Sequence, residues 1–279
     1  MHDVKQAVSA GFCFGVERAV KMAISALKER GEPVYTLGPI IHNPQEVSRL
    51  QKMGIKMAES LEEIPNGTVI IRSHGAPKGV IKAAEKRGLE VVDATCPLVE
   101  RLKGRVKDLA DEGYQVVVVG ESDHPEVKAV LSYAPDSCLV IRDPEEFDAE
   151  NLNKKVGLVA QTTQSLDTLR AVASLCICHC LEVRTYNTIC QATHRRGAEA
   201  LELAQNVDVM IVVGGKNSAN TTRLAQALAD SGSTTYHIES AAELDSFVIP
   251  RGATVGVTAG ASTPGWLIDE VVSVLKEMD

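Results

Sequence analysis

The chain has 279 residues, of which 44% are hydrophobic and 24% charged, ordinary globular values with length enough for a large buried core. A net charge of −8 and an aromatic content of 4%, with Trp266 the single tryptophan, argue against a nucleic-acid binder, which needs a basic footprint and stacking platforms. The first twenty residues carry Asp3, Lys5, Glu17 and Arg18, and no apolar run approaches the roughly 18 residues of a membrane helix. A cytoplasmic chain is therefore expected, in which seven cysteines point to metal or redox chemistry rather than to disulfides.

In chain order, an amphipathic stretch over 16–28 predicts the first helix, and β-branched runs at 34–37 and 69–71 predict strands. Helical patterns follow at 80–87 and 99–109, then strands at 116–119 and 156–159. A last helical pattern at 198–204 lies between these and strands at 209–213 and 254–257. Buried strands alternating with helices predict a parallel α/β architecture, in which ligands sit beyond the carboxyl ends of the strands.

The loops at those ends recur in order. After Cys13 come Gly38-Pro39-Ile40-Ile41-His42-Asn43-Pro44 and then Arg72-Ser73-His74-Gly75. After Cys96 come Gly120-Glu121-Ser122-Asp123-His124-Pro125-Glu126 and then Gln161-Thr162-Thr163. After Cys190 come Gly214-Gly215-Lys216-Asn217-Ser218-Ala219-Asn220 and then Ala259-Gly260-Ala261-Ser262-Thr263. The steps from Cys13 to His42, Cys96 to His124 and Cys190 to Asn220 are 29, 28 and 30 residues. One unit used three times is expected, with pseudo-symmetric α/β domains at 14–96, 97–189 and 190–279 plus 1–13. Each would bring one cysteine and two polar loops to a shared centre.

Cys13 is flanked by Gly11 and Gly15, which let the backbone approach a bulky ligand. Cys96 precedes Pro97, a residue suited to the first turn of a helix, and Cys190 also opens a helical stretch. A thiolate at a helix N-terminus has a lowered pKa and ligates metal well; the bland alternative is a small buried hydrophobe. Three thiolates on a [4Fe–4S] cluster would leave one iron open, as a catalytic metal requires, whereas electron-transfer clusters and structural zinc usually take four. Cys138 reads as core. Cys176, Cys178 and Cys180 alternate at strand period, which would put all three on one face of a cysteine-rich strand or loop edge rather than around an accessory metal.

Several motifs together resemble one family. Ala10-Gly11-Phe12-Cys13-Phe14-Gly15-Val16, the His42 loop, Arg72-Ser73-His74-Gly75, Asp93-Ala94-Thr95-Cys96-Pro97 and His124-Pro125-Glu126 stand in its order. They are followed by Gln161-Thr162-Thr163, Asn187-Thr188-Ile189-Cys190, Lys216-Asn217-Ser218 and Thr258-Ala259-Gly260-Ala261-Ser262. The chain resembles the IspH/LytB family of 4-hydroxy-3-methylbut-2-enyl diphosphate reductases over essentially its full length. The resemblance implies three domains in a trefoil around one [4Fe–4S] cluster held by Cys13, Cys96 and Cys190. It also implies the last step of the non-mevalonate isoprenoid pathway, in which a hydroxylated allylic diphosphate takes up electrons and protons and loses its hydroxyl as water. The products are isopentenyl and dimethylallyl diphosphates, and the expected electron donor is a reduced ferredoxin or flavodoxin.

By the same resemblance, His42, His74, His124, Ser218, Asn220 and Ser262 match the diphosphate-binding positions. Glu126 matches the proton donor and Thr162 lies near the substrate hydroxyl. Hydroxide leaves carbon readily only as water, so an acid is required there. Taken singly, each residue has a plainer role: a structural His, a capping Ser or Asn, a solvated Glu, a strand-end Thr. Ala219 stands where some relatives carry a second Ser, and Gln191 and Gly197 where Asn and Gln are expected. Two other readings compete: a hydro-lyase with an open-iron cluster, and a non-catalytic iron–sulfur redox sensor. A P-loop is excluded because Gly214-Gly215-Lys216 lacks the required spacing.

Overall fold

A computed structural model describes residues 2–278. The elements run β1 (Asp3–Gln6), α1 (Phe14–Arg30), β2 (Val34–Leu37), α2 (Pro44–Lys52), β3 (Ile55–Ala58), β4 (Thr68–Ile71), α3 (Val80–Lys86) and β5 (Glu90–Asp93). They continue with α4 (Pro97–Asp111), β6 (Gln115–Val119), α5 (Pro125–Leu131), β7 (Cys138–Ile141), β8 (Lys155–Ala160), α6 (Leu166–His179) and β9 (Glu182–Thr185). The last are α7 (Gln191–Ala204), β10 (Val209–Val213), α8 (Ala219–Asp230), β11 (Thr235–Ile238), β12 (Thr254–Ala259) and α9 (Gly265–Glu277).

The strands form three four-stranded sheets, ordered β3-β2-β4-β5, β7-β6-β8-β9 and β11-β10-β12-β1. Every pairing is parallel. The α/β reading holds, and one strand order is used three times. Val116, Val117, Val118 and Val119 of β6 are all 0% exposed. Burial on both faces explains why such strands read as continuous apolar runs rather than as alternation.

Two compact units divide the chain. One comprises Met1–Glu17, Ile41–Gly54 and Gln191–Asp279 and holds the sheet of β1, β10, β11 and β12; the other comprises Arg18–Ile40 and Ile55–Cys190 and holds the other two sheets. In the first unit the core lies between that sheet and α9, where Ile211, Val257, Ile268 and Val271 pack together. In the second, Leu102 and Val106 of α4 pack under β6 and β8, and Leu169 and Val172 of α6 cover their opposite face.

The cysteine-rich segment corrects the strand expectation. Cys176 and Cys178 lie in α6 and Cys180 is its C-cap. Helical geometry therefore separates the three, with Cys176 buried in the core, Cys178 exposed and Cys180 half-buried. Ser165 supplies the missed start signal: its side chain caps α6 by accepting the Thr168 N–H. Cys138 is half-buried at the start of β7 and packs on the edge of the core.

Candidate functional site

None of the seven cysteines is paired in a disulfide, and three of them share one local construction. The Cys13 N–H donates to the Ala261 carbonyl at 3.0 Å, the Cys96 N–H to Ser73 at 2.9 Å and the Cys190 N–H to Thr162 at 2.8 Å. Each acceptor lies two residues beyond the end of a central strand: β12, β4 and β8 respectively. Each cysteine is followed at once by a helix, α1, α4 or α7. Cys96 is the N-cap of α4, with extended backbone and Pro97 in the first turn. Each of the three cysteines thus stands at the positive end of a helix.

Cys138 and Cys176 behave differently. Burial pushes the Cys138 thiol up to about 11. Burial, reinforced by the neighbouring Cys180, pushes Cys176 up to about 12. Thiols held protonated in this way are poor ligands, so their roles are in packing.

In the second unit the Glu126 side chain is 2% exposed and both its oxygens are engaged by Thr162. The Thr162 N–H donates to Oε1 at 2.6 Å and the Thr162 Oγ1 hydroxyl to Oε2 at 2.7 Å. Because the Thr162 carbonyl also accepts from Cys190, one residue joins the buried carboxyl to a candidate cluster ligand. His124 is the N-cap of α5, and its Nδ1 accepts the Glu126 N–H at 3.2 Å. An accepting Nδ1 carries no proton, which fixes Nε2 as the protonated nitrogen in the neutral ring. The His74 and His124 rings meet edge to face with centroids 5.6 Å apart.

The surrounding loops are tied by residues of the quoted motifs to which the sequence analysis gave no individual role. Gln161, 0% exposed, accepts the Glu121 N–H at 3.0 Å and donates to Thr163 Oγ1 at 3.0 Å. This fixes the loop after β6 against the loop after β8. Gly38, at φ +69°, passes so close to Arg72 that a Cβ there would lie 2.7 Å from the guanidinium Nη1. Burial holds the Arg72 pKa below its ordinary value, an effect partly opposed by Glu59.

In the first unit the remaining candidates gather around the start of α8. Ser218 caps that helix, and its Oγ lies 3.5 Å from the Ser262 Oγ. Ser262 in turn donates to the His42 carbonyl at 2.9 Å. Asn220 is 7% exposed, and its Nδ2 is among the buried donors with no protein partner within the described residues. Such an orphan costs free energy unless a ligand or water meets it. Hydroxyls, a buried amide and a helix N-terminus together suit an anion.

Thus Cys13, His42, Ser218, Asn220 and Ser262 belong to one unit, and His74, Cys96, His124, Glu126, Thr162 and Cys190 to the other. Sequence reasoning missed Gln161 as the loop tie and Thr221 as a packing post beneath Gly260. The first was legible as a polar residue ending a buried strand. The second left no local signal.

Comparison with known proteins is consistent over the whole chain. A family model described as LytB protein matches residues 4–276. The chain is 53% identical over 277 residues to the 4-hydroxy-3-methylbut-2-enyl diphosphate reductase of Geobacter sulfurreducens, covering 99% of this chain and 98% of the relative. It is 50% identical over 270 residues to the protein of the same name from Pelobacter propionicus, covering 97% and 96%. A solved (E)-4-hydroxy-3-methyl-but-2-enyl diphosphate reductase, described as the terminal enzyme of the non-mevalonate pathway, superposes with a TM-score of 0.76 at 46% identity, covering 100% of both chains. The E-1-hydroxy-2-methyl-but-2-enyl-4-diphosphate reductase of Plasmodium falciparum superposes with a TM-score of 0.90 at 27% identity, covering 99% of this chain and 88% of that one.

Proposed function

The chain belongs to the LytB family of 4-hydroxy-3-methylbut-2-enyl diphosphate reductases, terminal enzymes of the non-mevalonate pathway, and we propose how its residues divide that reaction. Cys13, Cys96 and Cys190 hold one [4Fe–4S] cluster. The donor set fits: three thiols, each half-buried, each at a helix N-terminus and each with its N–H bonded to a strand-end loop. When bound, the cluster supplies electrons and an open Lewis-acidic iron for the substrate hydroxyl.

The chain's own residues bind the substrate and move the proton. His42, His74, His124, Ser218, Asn220 and Ser262 donate to the diphosphate, with the positive end of α8 adding to the field. His124 does so through Nε2, since its Nδ1 faces the Glu126 N–H. Glu126 holds a proton on Oε2. The Thr162 hydroxyl can rotate to accept that proton's hydrogen bond while offering its own hydrogen to the substrate hydroxyl. Transfer along this line lets the hydroxyl leave as water. The substrate gains a pair of electrons and a pair of protons overall, one proton going to the departing hydroxyl and one to carbon.

The observation that carries this reading is the buried run Glu126–Thr162–Cys190, an acid held one residue from a cluster ligand. The electron donor that the family resemblance implies is a reduced ferredoxin or flavodoxin. The three-part division at 14–96, 97–189 and 190–279 plus 1–13 is supported by one four-stranded sheet falling in each part. Among the described residues no helix is long and apolar enough to cross a membrane.

The test is anaerobic: cluster-loaded protein is mixed with dithionite-reduced viologen and the hydroxylated allylic diphosphate. Substrate-dependent dye oxidation with formation of both isopentenyl and dimethylallyl products is expected. Dehydration without dye oxidation would favour the hydro-lyase, and no turnover by fully loaded protein the sensor.

A further inference from the structure

Two loops of the diphosphate site lead directly into helices that a buried carboxylate ties together. Asn43-Pro44-Gln45-Glu46 opens α2 with the spacing of a capping box, and the Asn43 side chain accepts the Glu46 N–H at 2.9 Å. In a capping box the acidic side chain at this position reaches back to the cap. The Glu46 side chain, 1% exposed, is instead committed across the fold. Its Oε2 accepts from Trp266 Nε1 at 3.0 Å and from Arg49 Nε at 2.8 Å, and its Oε1 accepts from Arg49 Nη2 at 2.6 Å.

The placement of these partners matters. Glu46 lies four residues after His42, and Trp266 four residues after Ser262. Between them the Ser262 hydroxyl donates to the His42 carbonyl. The two loops are thus pinned twice, once at the site and once a helical turn behind it. A buried charge needs full pairing, and charge-assisted bonds hold direction better than apolar contact does. Stability alone would be served by an apolar pair of the same volume. The charged clamp adds orientation.

We infer that Glu46 is a positioning residue for the diphosphate site: clamped by Trp266 and Arg49, it fixes the start of α2 to the start of α9 and so holds the His42 and Ser262 loops at the spacing a diphosphate needs. The inference rests on the assignment of His42 and Ser262 to that site.

Trp266 is the only tryptophan, so its emission reports on the clamp independently of turnover. Cluster-loaded wild type, Glu46→Gln, Trp266→Phe and Ser262→Ala are compared by steady-state kinetics, and inorganic diphosphate is titrated against Trp266 emission in wild type and Glu46→Gln. The expected result is a KM raised about tenfold in all three variants, with kcat held within about twofold. The diphosphate Kd read from emission should rise in Glu46→Gln by a similar factor. Trp266→Phe keeps an aromatic ring at the position while removing the N–H that reaches Glu46, and it leaves the Glu46–Arg49 pair intact, so it carries the test if Glu46→Gln does not fold. A raised KM in Ser262→Ala alone overturns the positioning role and leaves the diphosphate assignment standing. Unchanged KM in all three overturns both. A loss confined to kcat or to melting temperature also overturns the inference, since a purely structural clamp would act that way.

Discussion

Thr162 donates to Glu126 twice, through its main-chain N–H at 2.6 Å and its hydroxyl at 2.7 Å, so that both carboxylate oxygens are held by one residue. Only the hydroxyl bond can be removed by substitution. Thr162→Ser keeps it and is expected to retain activity within about threefold, whereas Thr162→Ala should lower kcat/KM by about tenfold or more. Steady-state viologen oxidation measures both. Equal activity in the two variants would remove the hydroxyl from the proton path.

Asn220 offers a buried Nδ2 with no protein partner among the described residues. Asn220→Asp puts a carboxylate at the proposed anion site and should raise KM by well over tenfold, while Asn220→Ala, which only removes the donor, should raise it about tenfold. The ranking is the informative part: repulsion must exceed simple loss. KM values measured at fixed ionic strength decide it.

Gly260 packs on Thr221 so closely that an added Cβ would lie 1.9 Å from Oγ1 and 2.9 Å from Cβ of that residue. Thr221 is 0% exposed in α8, the helix whose start carries Ser218 and Asn220. Gly260→Ala must therefore shift α8. It should cost about 1–3 kcal/mol of stability and raise KM as well. Adding Thr221→Ala removes the nearest clash and should recover part of the stability, as measured by urea denaturation.

The pH dependence of stability carries a signature of Cys176. Its folded thiol is pushed up to about 12, whereas an unfolded thiol titrates near 8.5. Above that lower value the unfolded chain loses a proton that the folded chain keeps, so stability falls as pH rises from about 9 toward 12. In the apo protein, Cys176→Ala should flatten this alkaline decline, even though it lowers stability at neutral pH by removing core volume. Denaturant midpoints collected across that range test the slope. A slope identical to wild type would mean that another group causes the decline.

Half the strands were legible in the sequence because they are the central ones. Val116–Val119 and 209–213 are apolar on both faces and fully buried. Edge strands such as Asp3–Gln6 and Glu182–Thr185 were hidden because their residues are largely polar or charged and none is fully buried. The cysteine-rich stretch misled because alternation over five residues fits a strand, while its true character was set by the Ser165 cap eleven residues earlier. Among the site residues, the loop motifs were readable because they recur in order after each cysteine. The supports were not. Glu46 meets Trp266 across 220 positions, and Thr162 meets Glu126 across 36. Such contacts exist only once the sheets have brought the loops together.

The most direct test of the central claim is the turnover of Glu126→Gln, purified anaerobically with its iron and sulfide content matched to wild type. Gln keeps the shape of Glu126 and can still accept from Thr162, but it has no proton to give. Substrate-dependent viologen oxidation should fall about a hundredfold or more, with iron content and the spectrum of the cluster unchanged. Turnover at the wild-type rate would contradict the role of Glu126, and the acid that expels the hydroxyl as water would have to be sought elsewhere.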